Sequence, residues 1–272
     1  MSISERIQQG VSFDTSDLLE QAGGVRHAFS TRLGGVSGGI WSSMNLGTTR
    51  GDDPEAVREN YRRFCAAVGV NGQKIVMSNQ VHGAEVRAVT LSDVKRDLYD
   101  PEGYETDGLM TDIPGITLVV FAADCIPVLL YDPVRRVIGA AHAGWRGTAA
   151  GIAAKTVERM CAAYGTRPED IRAAIGPGIG ACCFETHEDV PNAMTGQLGA
   201  AALPFLKSLP AGKFKVDLKG LNALWLKRAG VPETQIDCSP ACTVCRCDRY
   251  WSHRATGGQR GSGASMIMLE EC

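Results

Sequence analysis

The chain has 272 residues, enough for one large domain or two small ones around a substantial core. Hydrophobic residues at 44% and charged residues at 21% exclude wholesale disorder. A formal net charge of -2, with no basic block, excludes nucleic acid as a main partner, because phosphate binding needs concentrated positive surface.

Met1 to Arg6 shows no basic segment followed by an apolar run, so no secretory leader is expected. The longest apolar stretch, Ile116 to Leu130, is interrupted by Asp124 and Pro127 and is too short to span a bilayer. No membrane association is expected. Ten cysteines in such a chain read as reduced thiols, which points to a cytoplasmic protein. Cys65 and Cys161 fall on helix faces and read as small core residues.

Val25 to Thr31 predicts a first strand, followed by a glycine-rich loop from Arg32 to Gly39. Asp52-Asp53-Pro54 opens a helix with capping carboxylates and a proline suited to the first turn. Val57, Tyr61, Phe64, Cys65 and Val68 recur on one face, and Gly69 ends it. Lys74 to Ser78 and Glu85 to Val89 predict strands on either side of the corner Gln80-Val81-His82-Gly83. A polar segment, Ser92 to Glu105, leads through Thr106-Asp107-Gly108 back into apolar sequence. Thr117 to Ala122, Pro127 to Tyr131 and Val137 to His142 predict three more strands, whose short connections favour antiparallel neighbours. A helix is expected from Thr148 to about Tyr164, stopped by Gly165. Ile171 to Ile175 and Phe214 to Asp217 predict strands, Leu218 to Arg228 a helix, and Ser265 to Leu269 a last strand. Asn192 to Gly212, rich in Ala, Gly and Pro, reads as an insertion. The sum is an α+β chain forming a single domain over residues 1–272.

Three residues carry the chemistry: His82, Cys125 and His142. Each stands at or near the end of an apolar strand-like run beside small or turn-forming residues. Two imidazoles and a thiolate make a three-ligand set for zinc with a fourth position open, the layout of a catalytic rather than a structural site. Such a site carries net +1 and suits an anion in the open position. The wide, unequal spacing is not by itself a metal signature, and each residue alone would be read as structural. Arg146, at the start of a helix after His142-Ala143-Gly144-Trp145, reads as a phosphate clamp or as the partner of Asp124 or Asp132. Asp124 reads as the carboxylate that orients a ligand histidine, as a general base, or as a cap for the following turn. Arg32, Asn45 and Gln80 are polar loop residues with the chemistry to bind substrate. Gly176-Pro177-Gly178-Ile179-Gly180 echoes a dinucleotide fingerprint, but no clear helix and no ribose-binding acid follow, so that reading is rejected. Cys238, Cys242, Cys245 and Cys247 could hold a structural zinc. Their spacing is atypical, and buried thiols in a turn-rich segment are the simpler expectation.

Taken together, these motifs resemble the laccase-domain family, also called the multicopper polyphenol oxidase or purine nucleoside phosphorylase family. The likeness runs over nearly the whole chain. It includes Phe29 to Ser37, Met44-Asn45-Leu46-Gly47, Gln80-Val81-His82-Gly83, Thr106-Asp107-Gly108 and Ala123-Asp124-Cys125-Ile126-Pro127. It continues through Ala141-His142-Ala143-Gly144-Trp145-Arg146-Gly147, Cys182-Cys183-Phe184-Glu185 and Ser252-His253-Arg254. The resemblance implies zinc at His82, Cys125 and His142, and a layered α/β/β/α arrangement of mixed, partly antiparallel sheets. It also implies phosphorolysis of adenosine, inosine and methylthioadenosine, with adenosine deamination as a side activity. Gly178 and the 238–247 segment depart from the family pattern without touching the three ligands.

Three rivals follow. A copper polyphenol oxidase needs several copper centres, and five histidines are too few for a conventional cluster. A metal-free hydrolase would use Cys125 as nucleophile and His142 as base. A non-catalytic role, in cell-wall precursor quality control or partner binding, needs none of this chemistry. Purine nucleosides and phosphate are the expected partners; the oligomeric state is not readable.

Overall fold

The computed structural model describes residues 2–271. In chain order the elements are β1 (Ile3–Gln8), β2 (Val11–Ser16), α1 (Asp17–Ala22), β3 (Val25–Ser30), α2 (Pro54–Val68), β4 (Ile75–Val76) and β5 (Val86–Ala88). Next come β6 (Gly108–Thr111), β7 (Thr117–Ala122), β8 (Ile126–Asp132), β9 (Val137–Ala143), α3 (Trp145–Ala149), α4 (Ile152–Tyr164), β10 (Arg172–Ile175) and β11 (Glu185–Thr186). The last are α5 (Asp189–Leu198), β12 (Leu206–Leu209), β13 (Lys213–Val216), α6 (Leu218–Arg228), β14 (Ile236–Cys238), α7 (His253–Thr256) and β15 (Gly263–Leu269). Among the described residues, no helix is long and apolar enough to cross a membrane.

The strands form two six-stranded sheets and one of three strands. The first six-stranded sheet runs β1-β2-β3-β15-β7-β4 and the second β14-β10-β8-β9-β6-β5. Most neighbours are antiparallel, but β4 with β7, β5 with β6 and β10 with β14 are parallel, so both large sheets are mixed. The sheets pack face to face over a shared core that includes Phe29, Leu118, Val120, Leu129, Ile138 and Ile267. Helix α2 covers the outer face of the first sheet through Val57, Tyr61 and Phe64. Helices α4, α5 and α6 cover the second through residues such as Val157, Met194 and Leu226. This is the expected α+β architecture in four layers, α/β/β/α.

Local signals explain the elements read correctly. In α2 the Asp53 carboxylate accepts the Glu55 N–H, Pro54 opens the helix, and Gly69 ends it at φ +80°. Strand β8 is buried along its whole length, as a continuous apolar run demands.

Two readings are corrected. The helix expected from Thr148 to Tyr164 is two helices, α3 and α4, broken at Gly151 with φ +77°. Trp225 causes the break: its ring packs against Gly151, and its Nε1 donates to the Thr148 carbonyl at 2.7 Å. The Asn192–Gly212 segment is no loose insertion, because Met194, Leu198 and Ala202 are buried in the α4–α6 core. The β1–β2 hairpin had no strong sequence pattern. Val11 and Phe13 bury it against the α2 side of the first sheet, and long-range polar contacts add to this: Arg249 and Tyr250 both donate to the Asp14 carboxylate, at 2.5 and 2.6 Å. That contact staples the chain's C-terminal loop against the first sheet.

Candidate metal centre

Sheet register brings the three predicted ligands together. In the β8–β9 hairpin, Pro127 pairs with His142 and Ile126 with Ala143. Cys125, one residue before β8, therefore emerges at the same end of the sheet as His142. On the other side of β9, Gly108 of β6 pairs with Ala141, which brings Asp107 beside His142. The His142 N–H donates to the Asp107 carbonyl at 2.8 Å, and His142 Nδ1 meets Asp107 Oδ1 at 2.7 Å. His82 arrives on the loop before β5, and the same carboxylate fixes that loop. Asp107 accepts the backbone N–H of Val81, His82 and Gly83 at 3.2, 3.1 and 2.7 Å. A fully buried carboxylate is tolerated here because its oxygens meet donors from every side.

The result is one compact donor set. Ligand atoms of His82, Cys125 and His142 all lie within 4.8 Å of one another. Cys125 Sγ is 4.0 Å from His82 Nδ1, and the two imidazoles stand edge to face with centroids 4.8 Å apart. Asp107 engages Nδ1 of His142 and leaves Nε2 as its ligating nitrogen. Gly144 completes the cradle: a Cβ there would run into His82 Nδ1 and come within 3.3 Å of Cys125 Sγ. His82 and Asp124, at φ +60° and +90°, hold a backbone conformation that side chains other than glycine seldom adopt.

Electrostatics follow from this geometry. Burial opposes ionisation of the Cys125 thiol, but His142 and His82 overcome it and bring the pKa down to about 6. Burial likewise disfavours a charged His142, yet Cys125 and Asp107 raise its pKa to about 9. Burial pushes Asp107 up and the His142 and backbone hydrogen bonds push harder the other way, so its pKa is lowered. Two imidazoles and a thiolate so arranged form a donor set able to bind a metal ion.

The three residues open onto a cleft of about 510 Å³. Phe121, Trp145, Ile179, Phe184 and Leu218 give it apolar walls, and Arg50, His253, Arg254 and Arg260 give it a basic one. Arg260 stands out. It is 8% exposed, its Nε has no hydrogen-bond partner, and no carboxylate pairs with it among the described residues.

The other predicted site residues divide. Gln80 lines the cleft and fixes its wall: Nε2 donates to the Phe121 carbonyl at 2.9 Å, and the Phe121 N–H donates back at 2.7 Å. Asp124 also lines the cleft, but it does not orient a histidine; Asp107 does. The Asp124 oxygens instead accept Thr243 Oγ1 at 2.6 Å and the Arg254 N–H at 2.7 Å. Arg146 is exposed and stacks over Trp145 at 4.2 Å, outside the cleft wall and with no acidic partner among the described residues. Arg146, expected as a phosphate clamp or as the partner of Asp124 or Asp132, thus stands outside the cleft lining. Arg32 is held by the Ser42 and Cys247 carbonyls over Trp251, and Asn45 is buried against Gly47, Asp52 and Ser262. Both shape loops behind the cleft and neither lines it.

Sequence reading missed Asp107, Arg50, Arg254 and Arg260. Thr106-Asp107-Gly108 and Ser252-His253-Arg254 were visible as motifs, with nothing local to assign them a task. Arg260 lies in a glycine-rich stretch and carries no signal.

A family model described as multi-copper polyphenol oxidoreductase laccase matches residues 26–270. The chain belongs to that family. Within it, the chain is 41% identical to a purine nucleoside phosphorylase of Deinococcus radiodurans, over 90% of this chain and 89% of that protein. It is 38% identical to the purine nucleoside phosphorylase YlmD of Geobacillus stearothermophilus, covering 91% of each. The crystal structure of the hypothetical protein YfiH of Bacillus licheniformis superposes with a TM-score of 0.92 at 34% identity, covering 98% of this chain and 99% of that one.

Proposed function

We propose that this family member is a zinc-dependent purine nucleoside phosphorylase, acting as a single domain on adenosine, inosine and methylthioadenosine, with adenosine deamination as a second reaction of the same cleft. The observation that carries the reading is the meeting of His82, Cys125 and His142 at a cleft that also holds a buried arginine, Arg260, whose Nη1 donates to the Gly261 carbonyl but whose Nε has no partner. The relatives' names support the phosphorylase part of the reading. The donor chemistry fits zinc: two nitrogens and one sulfur with one side left to the cleft, and a buried carboxylate orienting a ligand histidine. When bound, zinc supplies positive charge that holds and polarises an oxygen group beside the reacting carbon.

Phosphorolysis joins a phosphate oxygen to C1′ of the ribose and breaks the bond from C1′ to the purine nitrogen, which leaves with the electron pair and takes up a proton. Arg260, with Arg50 at the rim, suits the phosphate: a buried guanidinium short of acceptors gains most from an oxyanion. Phe121, Trp145, Ile179 and Phe184 offer the purine an apolar slot that excludes water. Asp124, fixed by Thr243 and the Arg254 N–H, is the group assigned to the proton in both reactions. Holding both reactants in one cleft makes the step effectively intramolecular.

The test is release of free base from adenosine with and without phosphate. Base released only with phosphate, lost on chelation and restored by zinc, is the expected result. Copper-dependent oxygen consumption on phenols, with no base released, would contradict it. A second reading, a metal-free hydrolase, is favoured by the low Cys125 and high His142 pKa values. It leaves His82 without a task, and turnover that survives chelation would establish it.

A further inference from the structure

A second sulfur cluster lies outside the catalytic donor set. Cys182 and Cys183 on one segment meet Cys242 and Cys245 on another, and the four sulfurs all lie within 4.8 Å of one another. Cys245 Sγ is 3.6 Å from Cys182 Sγ and 3.4 Å from Cys183 Sγ. The set weighed from sequence, Cys238, Cys242, Cys245 and Cys247, shares two members with this cluster. Cys238 reaches only toward the Ser239 carbonyl, and Cys247 is exposed and outside the cluster. The halves are a C-C pair and a C-x-x-C turn separated by a long stretch of chain.

We propose that Cys182, Cys183, Cys242 and Cys245 form a closed, four-thiolate structural zinc site. Zinc with bonds of about 2.3 Å to sulfur sets tetrahedral sulfurs about 3.8 Å apart, close to the spacing here. A cluster of several irons would need its cysteines spread more widely. The surroundings are built to match. The Gly180 N–H donates to Cys242 Sγ at 3.2 Å, the kind of outer contact that steadies a metal-bound thiolate. A Cβ on Gly180 would come within 3.1 Å of Cys242 Cβ and 3.2 Å of Cys182 Sγ, so the sulfurs close over a residue that leaves them room. Four thiolates on one zinc carry net -2, and a buried cation stands next to them. The Lys219 ammonium donates to the carbonyls of Ser239 and Ala241, the latter adjoining Cys242, and pairs with no carboxylate among the described residues.

The site would pin together two parts of the catalytic cleft. Ile179 and Phe184 flank the C-C pair and line the cleft, while Thr243, inside the C-x-x-C turn, donates to Asp124. Its role is positional, since no fourth position remains open for chemistry.

The test counts zinc in the reduced, full-length protein and in two double variants, Cys242→Ser/Cys245→Ser and His82→Ala/His142→Ala. Two zinc ions per chain in the wild type and one in each variant is the expected result. One ion in the wild type, unchanged in the serine variant, would overturn this site and leave the catalytic reading intact. One ion lost only in the serine variant would support this site and sink the catalytic one. Iron at the cysteines, or a disulfide seen by intact mass, would also overturn it. A second measurement avoids dependence on how well the serine variant folds. Thiol alkylation of the wild-type protein is mapped by mass spectrometry with zinc bound and after chelation. Protection of all four cysteines that chelation abolishes supports the site; equal labelling in both states overturns it.

Discussion

The two sulfur-bearing centres differ in what holds them. Cys125 and His142 stand at the ends of the central strands β8 and β9, His82 stands on the loop before β5, and the buried Asp107 ties the strand carrying His142 to that loop. The four cysteines sit on turns, Cys182 and Cys245 exposed and Cys242 buried, with the Gly180 amide and the Lys219 ammonium beside them. A set of three donors on a rigid sheet, facing a cleft, is arranged for reaction. A set of four donors on turns is arranged to replace the packing those turns lack.

Removing the carboxylate that rigidifies the first centre should have the largest effect. Asp107→Ala leaves three part-buried backbone N–H groups and the buried His142 Nδ1 without their acceptor, and about 3 kcal/mol of stability should go. Asp107→Asn should keep the fold and weaken metal binding by about 10–100-fold. Denaturant unfolding and metal titration measure the two; a variant with wild-type metal affinity would show that the sheet alone positions the ligands.

Acid separates the centres from the fold beneath them. His27 of β3 is buried, its Nε2 accepting the Ser16 N–H at 2.8 Å, and burial lowers its pKa to about 4. The unfolded chain binds this proton near its ordinary value of about 6.5. The contribution is therefore complete above that value and is lost as pH falls toward 4, amounting to about 3 kcal/mol. Metal-free wild type should lose this stability between pH 7 and 4, and His27→Gln should lose correspondingly less. Equal losses would place the acid sensitivity elsewhere.

The smallest effect sharpens the assignment of the basic wall. Arg260→Ala should raise the KM for phosphate by about 10–100-fold, while Arg146→Ala, facing solvent, should leave it nearly unchanged. The reverse ranking would return the clamp to Arg146.

Much of the fold was legible because its signals are local. The capped helix at Pro54–Val68, the apolar hairpin β8–β9 and the helix Leu218–Arg228 each carry their own periodicity and end signals. The ligands were legible because Cys125 and His142 stand at strand ends, and His82 in a corner between strands, each beside small or turn-forming residues. Asp107 was not, since its task appears only when β6 pairs with β9, a register no local pattern specifies. The same holds for the four-cysteine cluster. Cys242 and Cys245 were visible as a pair, but their partners came from a segment far away in sequence, joined through the Gly178–Cys242 bridge. Arg146 has the setting of an anion site in sequence, after a ligand and at a helix start, while its place outside the cleft lining depends on the helix direction, which no local pattern gives.

The most direct measurement is anomalous diffraction at the zinc edge from crystals of the purified protein. A peak bonded to Cys125 Sγ and one nitrogen each of His82 and His142, with a remaining position facing the cleft, is the expected result. A peak absent from that place in protein that still releases base from adenosine would contradict it.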